Sequence, residues 1–110
     1  MTKVTIYKDE VGMRGFDVIG HSGYADSGED IICSAISMLT INTVNSISAL
    51  TSDKADIISD SDTAKISLRL NHPISDRSAV LLESFELGIT AVMNNYGNEF
   101  LTVDYKKDEV

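Results

Sequence analysis

A single cysteine, a single proline and no tryptophan occur in 110 residues. One thiol cannot close an internal disulfide, so a reduced, cytoplasmic setting is expected. Basic residues are also scarce. Nine Lys and Arg stand against 17 Asp and Glu, a formal net charge of −8. Nucleic-acid binding through phosphate neutralisation needs basic patches, so no direct contact with DNA or RNA is expected. A surface of this sign concentrates cationic ligands instead, which points to a basic partner. No run approaches the roughly 18 consecutive apolar residues of a membrane helix. The segment Met1-Thr2-Lys3-Val4-Thr5-Ile6 has no charged leader followed by an apolar run. No membrane association is therefore expected.

Other absences narrow the chemistry. Neither G-x-x-x-x-G-K-[ST] nor G-x-G-x-x-G occurs, so no nucleotide site is indicated. Asp60-Ser61-Asp62 is too short for a calcium loop. One Cys and two His at these spacings make no zinc site. No cofactor or metal is expected. His72, before Pro73 in a turn, reads as structural.

What is present is an ordinary globular composition, 43% hydrophobic, long enough for one core and one domain over residues 1–110. Val4 and Ile6 alternate with Thr5 and Tyr7, a short strand. Asp9 to Gly12 is a turn. Phe16, Val18 and Gly20 alternate with Asp17 and Ile19, and the two strands are expected to form a hairpin. Gly20 to Gly28 holds three glycines and neither apolar period, so it is a loop. Helical spacing follows over about residues 28–50, with Ile32, Ile36, Leu39, Thr43, Ile47 and Leu50 on one face. Ser27 and Asp30 have the spacing of a capping box.

Ala55 to Ile58 is a third strand, and Ala64, Ile66, Leu68 and Leu70 alternate with polar partners in a fourth. These two should form a second hairpin. Pro73 stops that strand. Ser75 is placed to cap a second helix carrying Leu81, Leu82, Phe85, Ile89, Val92, Met93 and Tyr96, with Gly97 at its end. Phe100 to Tyr105 is a fifth strand, before a charged tail from Lys106. The expected fold is α+β with the order ββαββαβ. It is a two-layer α/β sandwich, a mostly antiparallel five-stranded sheet with two helices on one face. The second face of such a sheet is available for a dimer contact.

Chemistry concentrates in one segment. Cys33 falls in the first or second turn of the first helix, where unpaired N–H groups and the macrodipole favour an anion such as a thiolate. His21 precedes it by twelve positions, across a glycine-rich loop that closes at small entropic cost. An imidazole brought to the thiol can take its proton and activate a cysteine nucleophile. Cys33 lies about 100° from Ile32 on the buried stripe, at the border of the core face, and Ser37 lies one turn further on the same side. Against this stand plainer readings: a lone Cys as a small hydrophobe, His21 as a turn residue and Asp30 as a helix cap.

The residues Gly20-His21-Ser22-Gly23-Tyr24-Ala25 and Gly28-Glu29-Asp30-Ile31-Ile32-Cys33-Ser34-Ala35-Ile36-Ser37 resemble the signature of the Prp (YsxB-like) ribosomal-processing cysteine proteases. In that family Gly-His-(Ala/Ser) precedes Gly-x-Asp, two hydrophobics, Cys, a small residue, Ala, a hydrophobic and Ser. Ser34 departs slightly, since Ala is commoner after the nucleophile. The resemblance spans nearly the whole chain. It implies an endopeptidase of Gram-positive and related bacteria that removes an N-terminal extension from a large-subunit ribosomal protein during ribosome maturation. It implies Cys33 as nucleophile, His21 as base, Asp30 as the motif's acidic residue, and a homodimer. The loop with Gly20, Ser22, Gly23 and Gly28 is expected to move to admit peptide. The rival from another class is a non-enzymatic acidic chaperone for a basic ribosomal protein, whose binding would survive loss of Cys33 and His21. A thiol redox sensor at Cys33 would lack a resolving cysteine in the chain.

Overall fold

The computed structural model describes residues 2–20, 27–62, 64–71, 73–96 and 101–107, with 27–30 described by backbone alone. The seven elements are β1 (Thr2–Lys8), β2 (Met13–Ile19), α1 (Ser27–Leu50), β3 (Ala55–Asp60), β4 (Lys65–Leu70), α2 (Asp76–Tyr96) and β5 (Leu101–Lys107). This is the ββαββαβ order expected from periodicity.

Both hairpins form. β1 pairs antiparallel with β2, and β3 with β4. The Asp9 carboxylate closes the first turn by accepting from the Val11 and Gly12 amides at 2.8 and 3.0 Å, the local bonding that makes Asp a turn residue. The hairpins join through antiparallel β2–β4, and β5 adds parallel to β1, so the order is β3-β4-β2-β1-β5. The sheet is thus mixed, with one parallel pair beside three antiparallel ones. β2 and β4 approach closely at Gly15, where a Cβ would fall 2.0 Å from the Leu68 carbonyl oxygen. Only glycine fits there without displacing backbone.

Period-two alternation sends Val4, Ile6, Phe16, Val18, Leu68, Leu70 and Leu101 to one face, where they meet Ile32, Ile36 and Ile47 of α1 and Leu82, Phe85 and Ile89 of α2. The stacked rings of Phe16 and Phe85, 4.1 Å between centroids, join sheet to helix at the centre. The helices touch where Leu39 packs over Gly88. By length and composition α1 could cross a bilayer, but Ile32, Ile36, Thr40, Thr43 and Ile47 are buried against the rest of the protein. Thr40 and Thr43 are accommodated because each hydroxyl donates to the carbonyl four residues back, at 2.7 Å.

The far face is polar and knit together. Tyr7 Oη and Ser67 Oγ each donate to the Asp17 carboxylate at 2.6 Å, and the Arg69 guanidinium lies 3.1 Å from the Tyr7 ring centroid. Ser75 caps α2 as expected, accepting from the Ser78 amide at 3.2 Å while donating to Asp53 at 2.7 Å.

Several expectations are corrected at the element ends. Leu50 is 54% exposed and Tyr96 57% exposed, because each ends its helix beyond the cover of the sheet. Thr40 and Ser78 take buried positions instead. Lys106 and Lys107 belong to β5 rather than to a tail, since the parallel register with β1 continues to Lys8↔Lys107. Ala64 lies in the turn before β4, not in the strand, and α1 begins at Ser27. The proposed roles of Gly97, Phe100 and His72 lie outside the described residues, as does the Ser27–Asp30 side-chain cap.

Candidate active site

β1 begins with Thr2, whose alternation with Val4 and Ile6 turns it towards the helices. It is buried. α1 brings Cys33 over this end of the sheet. Cys33 is the seventh residue of the helix, in its second turn, and is a half-buried free thiol. Its own amide is within the helical ladder, and the helix-end field weakens beyond the first turn. The fold supplies a second polar neighbour: Thr2 Oγ1 lies 3.3 Å from Cys33 Sγ, within hydrogen-bonding distance. A helical side chain leans towards the N-terminus of its helix, so the sulfur is directed towards the N-terminal end of α1.

Cys33 borders a cavity of about 150 Å³. Among the described residues, Thr2, Val18, Gly20, Ser37, Thr40, Ala64 and Ile66 also line it. Ser37, one turn beyond Cys33, is thus brought to the same cavity, and its side chain is exposed. The Thr40 hydroxyl is committed to the Ile36 carbonyl, leaving its methyl to form wall. The cavity is mostly apolar, with polar groups gathered at the thiol. It can take one side chain beside the thiol.

Gly20 also lines this cavity, and its amide donates to the Ala64 carbonyl at 2.9 Å. That bond fastens the exit of β2 to the β3–β4 turn. Ala64 holds φ at +52°, a left-handed conformation that costs a non-glycine residue about 1–2 kcal/mol. Backbone strain of this kind persists where the surroundings over-determine it. Here the β3–β4 turn and the Gly20 amide fix the residue.

Gly28 and Asp30 lie in the first turn of α1, and the Asp30 side chain is outside the described residues. His21, Ser22 and Gly23 are outside them too. The structure therefore joins Cys33, Ser37 and Gly20, and says nothing of the imidazole. Sequence reasoning missed Thr2, Val18, Thr40, Ala64 and Ile66. Thr2 was readable only as the next step of the Val4, Ile6 alternation, and no motif marks the others.

A family model described as cysteine protease Prp matches residues 1–100. The ribosomal processing cysteine protease Prp of Staphylococcus aureus (strain Mu50) is 29% identical over 92 residues, 82% of this chain and 86% of that one. The structure of the S. aureus essential ribosomal processing protease Prp with a substrate peptide aligns with a TM-score of 0.88 at 25% identity, covering 96% of this chain and 100% of the other. The same protease with a covalently linked product peptide aligns at 0.85 and 26% identity, with the same coverage.

Proposed function

Since the chain belongs to the Prp cysteine protease family and is a cysteine peptidase, we propose that it removes the N-terminal extension of a large-subunit ribosomal protein, with Cys33 as nucleophile and His21 as base. The placement of the Cys33 sulfur supports this most directly. It is half-buried at a side-chain-sized cavity, on a rigid helix, beside a hydroxyl. His21 follows directly on Gly20, which lines the same cavity, so chain connectivity keeps the imidazole's attachment point one residue from it. The covalent peptide product on the S. aureus relative agrees with acyl transfer to a side chain.

In this mechanism His21 takes the proton of Cys33. The sulfur attacks the scissile carbonyl carbon and a C–S bond forms. The oxyanion is held by backbone N–H groups at the start of α1. As the intermediate collapses the C–N bond breaks, and His21 returns its proton to the leaving amine. Water, deprotonated by His21, cleaves the thioester to a carboxylate and frees the thiol. Asp30 orients His21 or caps the helix, and the loop over residues 20–28 admits the peptide. A net charge of −8 steers in a basic substrate. The protein works in the cytoplasm as a homodimer in this reading. Exposed Met38 and Leu87 on the helices supply apolar surface for such a contact.

The experiment is incubation with a ribosomal protein bearing its native extension, followed by intact-mass measurement. One clean N-terminal truncation, absent with Cys33→Ala, is expected. An unchanged partner mass with retained binding establishes the chaperone instead.

A further inference from the structure

A hydroxyl is costly to bury without a partner. Thr2 is only 2% exposed, and its hydroxyl meets the Cys33 sulfur at 3.3 Å, 31 positions away in sequence. The oxygen is a fixed point. Pairing with Leu101 of β5 holds the Thr2 backbone in the sheet, and the branched Cβ leaves few χ1 rotamers open. The sulfur is less constrained. It turns about a single torsion with staggered wells, and Cys33 is half-buried with a cavity of about 150 Å³ at its side. Packing alone therefore leaves room for more than one position of the sulfur.

Three hydroxyl-bearing residues line that cavity among the described residues: Thr2, Ser37 and Thr40. Thr40 donates to the Ile36 carbonyl at 2.7 Å, and Ser37 is exposed. The Thr2 oxygen is the one placed on the sulfur. A hydroxyl carries one donor and two acceptor lone pairs, and it rotates to suit. It can accept from a thiol, and it can donate to a thiolate, which has no proton to give. The same contact thus serves the sulfur before and after its proton leaves, so what it fixes is the sulfur's place.

We infer that Thr2 is a positioning residue for the nucleophile, its hydroxyl selecting the Cys33 rotamer in which the sulfur meets the scissile carbonyl. The inference rests on the peptidase reading above. Thr2 acts through Cys33 and takes no part in making or breaking bonds. Reacting atoms must stand about 3–3.5 Å apart along an aligned path. A sulfur spread over several rotamers spends part of its time out of line.

The test uses full-length protein in excess over a ribosomal protein bearing its native extension. Single-turnover cleavage then reads the bond-breaking step without product release. Thr2→Val keeps the shape and removes the oxygen. Loss of one hydrogen bond should lower the maximal rate about two- to tenfold, with the enzyme concentration at half-maximal rate unchanged. Thr2→Ser should restore most of the rate. Thr43→Val removes another buried hydroxyl, one that donates to the Leu39 carbonyl and lies outside the cavity lining. It should keep the wild-type rate, and so controls for a general loss of stability. Should Thr2→Val fail to fold, Thr2→Ala gives the same test. The positioning role alone is overturned by an unchanged maximal rate in Thr2→Val, by a change confined to the half-maximal concentration, by no rescue in Thr2→Ser, or by an equal loss in Thr43→Val. Failure of wild-type protein to cut the parent substrate overturns the peptidase reading, and the positioning role with it.

Discussion

Thr2 and Cys33, separated by 31 positions in sequence, meet across the seam between sheet and helix with Oγ1 and Sγ 3.3 Å apart. Either atom can donate, so the bond ties the start of β1 to α1. One such bond contributes about 0.5–1.5 kcal/mol. Thr2→Val keeps the shape and removes the hydroxyl, so its stability in urea titration should fall by about that amount. An unchanged stability in Thr2→Val would show that the hydroxyl only fills space.

Cys33→Ala removes the sulfur from a half-buried position at the border of the core, not its centre. The fold should survive, with stability within about 1 kcal/mol of wild type, while cleavage of the ribosomal substrate disappears. Circular dichroism melting and intact mass are the paired measurements. Full activity in Cys33→Ala would refute the nucleophile assignment.

Alternation in β1, β2 and β4 and the three- and four-residue steps of α1 and α2 gave every element in its right order, because each buries a single face and that face writes its period into the sequence. Parallel pairing of β5 with β1 was not legible, since the same alternation serves either direction. Leu50 and Tyr96 misled because periodicity does not reveal where a helix outruns the sheet beneath it. Cys33, Gly20 and Ser37 were found from a local motif. Thr2, Ala64 and Ile66 join them only through the β1–α1 and β2–β4 contacts, which no local spacing encodes.

Ala64 is held at φ +52° and supplies the carbonyl that receives the Gly20 amide. Glycine adopts this conformation without steric penalty. Ala64→Gly should therefore raise stability by about 0.5–1 kcal/mol, despite the greater entropy of its unfolded chain. That corresponds to a melting temperature higher by roughly 2–6 °C. An equal or lower melting temperature would place the relief below the entropic loss.

Asp17 anchors the polar face of the sheet. Burial alone would raise its pKa, but hydrogen bonds from Ser67 and Tyr7 and the charges of Arg69 and Lys65 hold it below the usual carboxylate value of 3.8. A carboxyl with a depressed folded pKa contributes stability that is fully present above its unfolded pKa and is lost as pH falls through the folded one. The contribution should be intact at pH 7 and fade below about pH 4. Asp17→Asn retains an acceptor but no charge, and should cost about 1–2 kcal/mol at pH 7. In urea titrations at pH 7 and pH 2.5, the gap between wild type and Asp17→Asn should close at the lower pH. Tyr7 offers an independent readout, because burial and the Asp17 carboxylate both raise its phenol above 10.0. Removing the Asp17 charge should let one tyrosine ionise at lower pH in the ultraviolet titration of the folded protein. A stability gap that persists unchanged at pH 2.5 would assign the effect of Asp17→Asn to packing instead of charge.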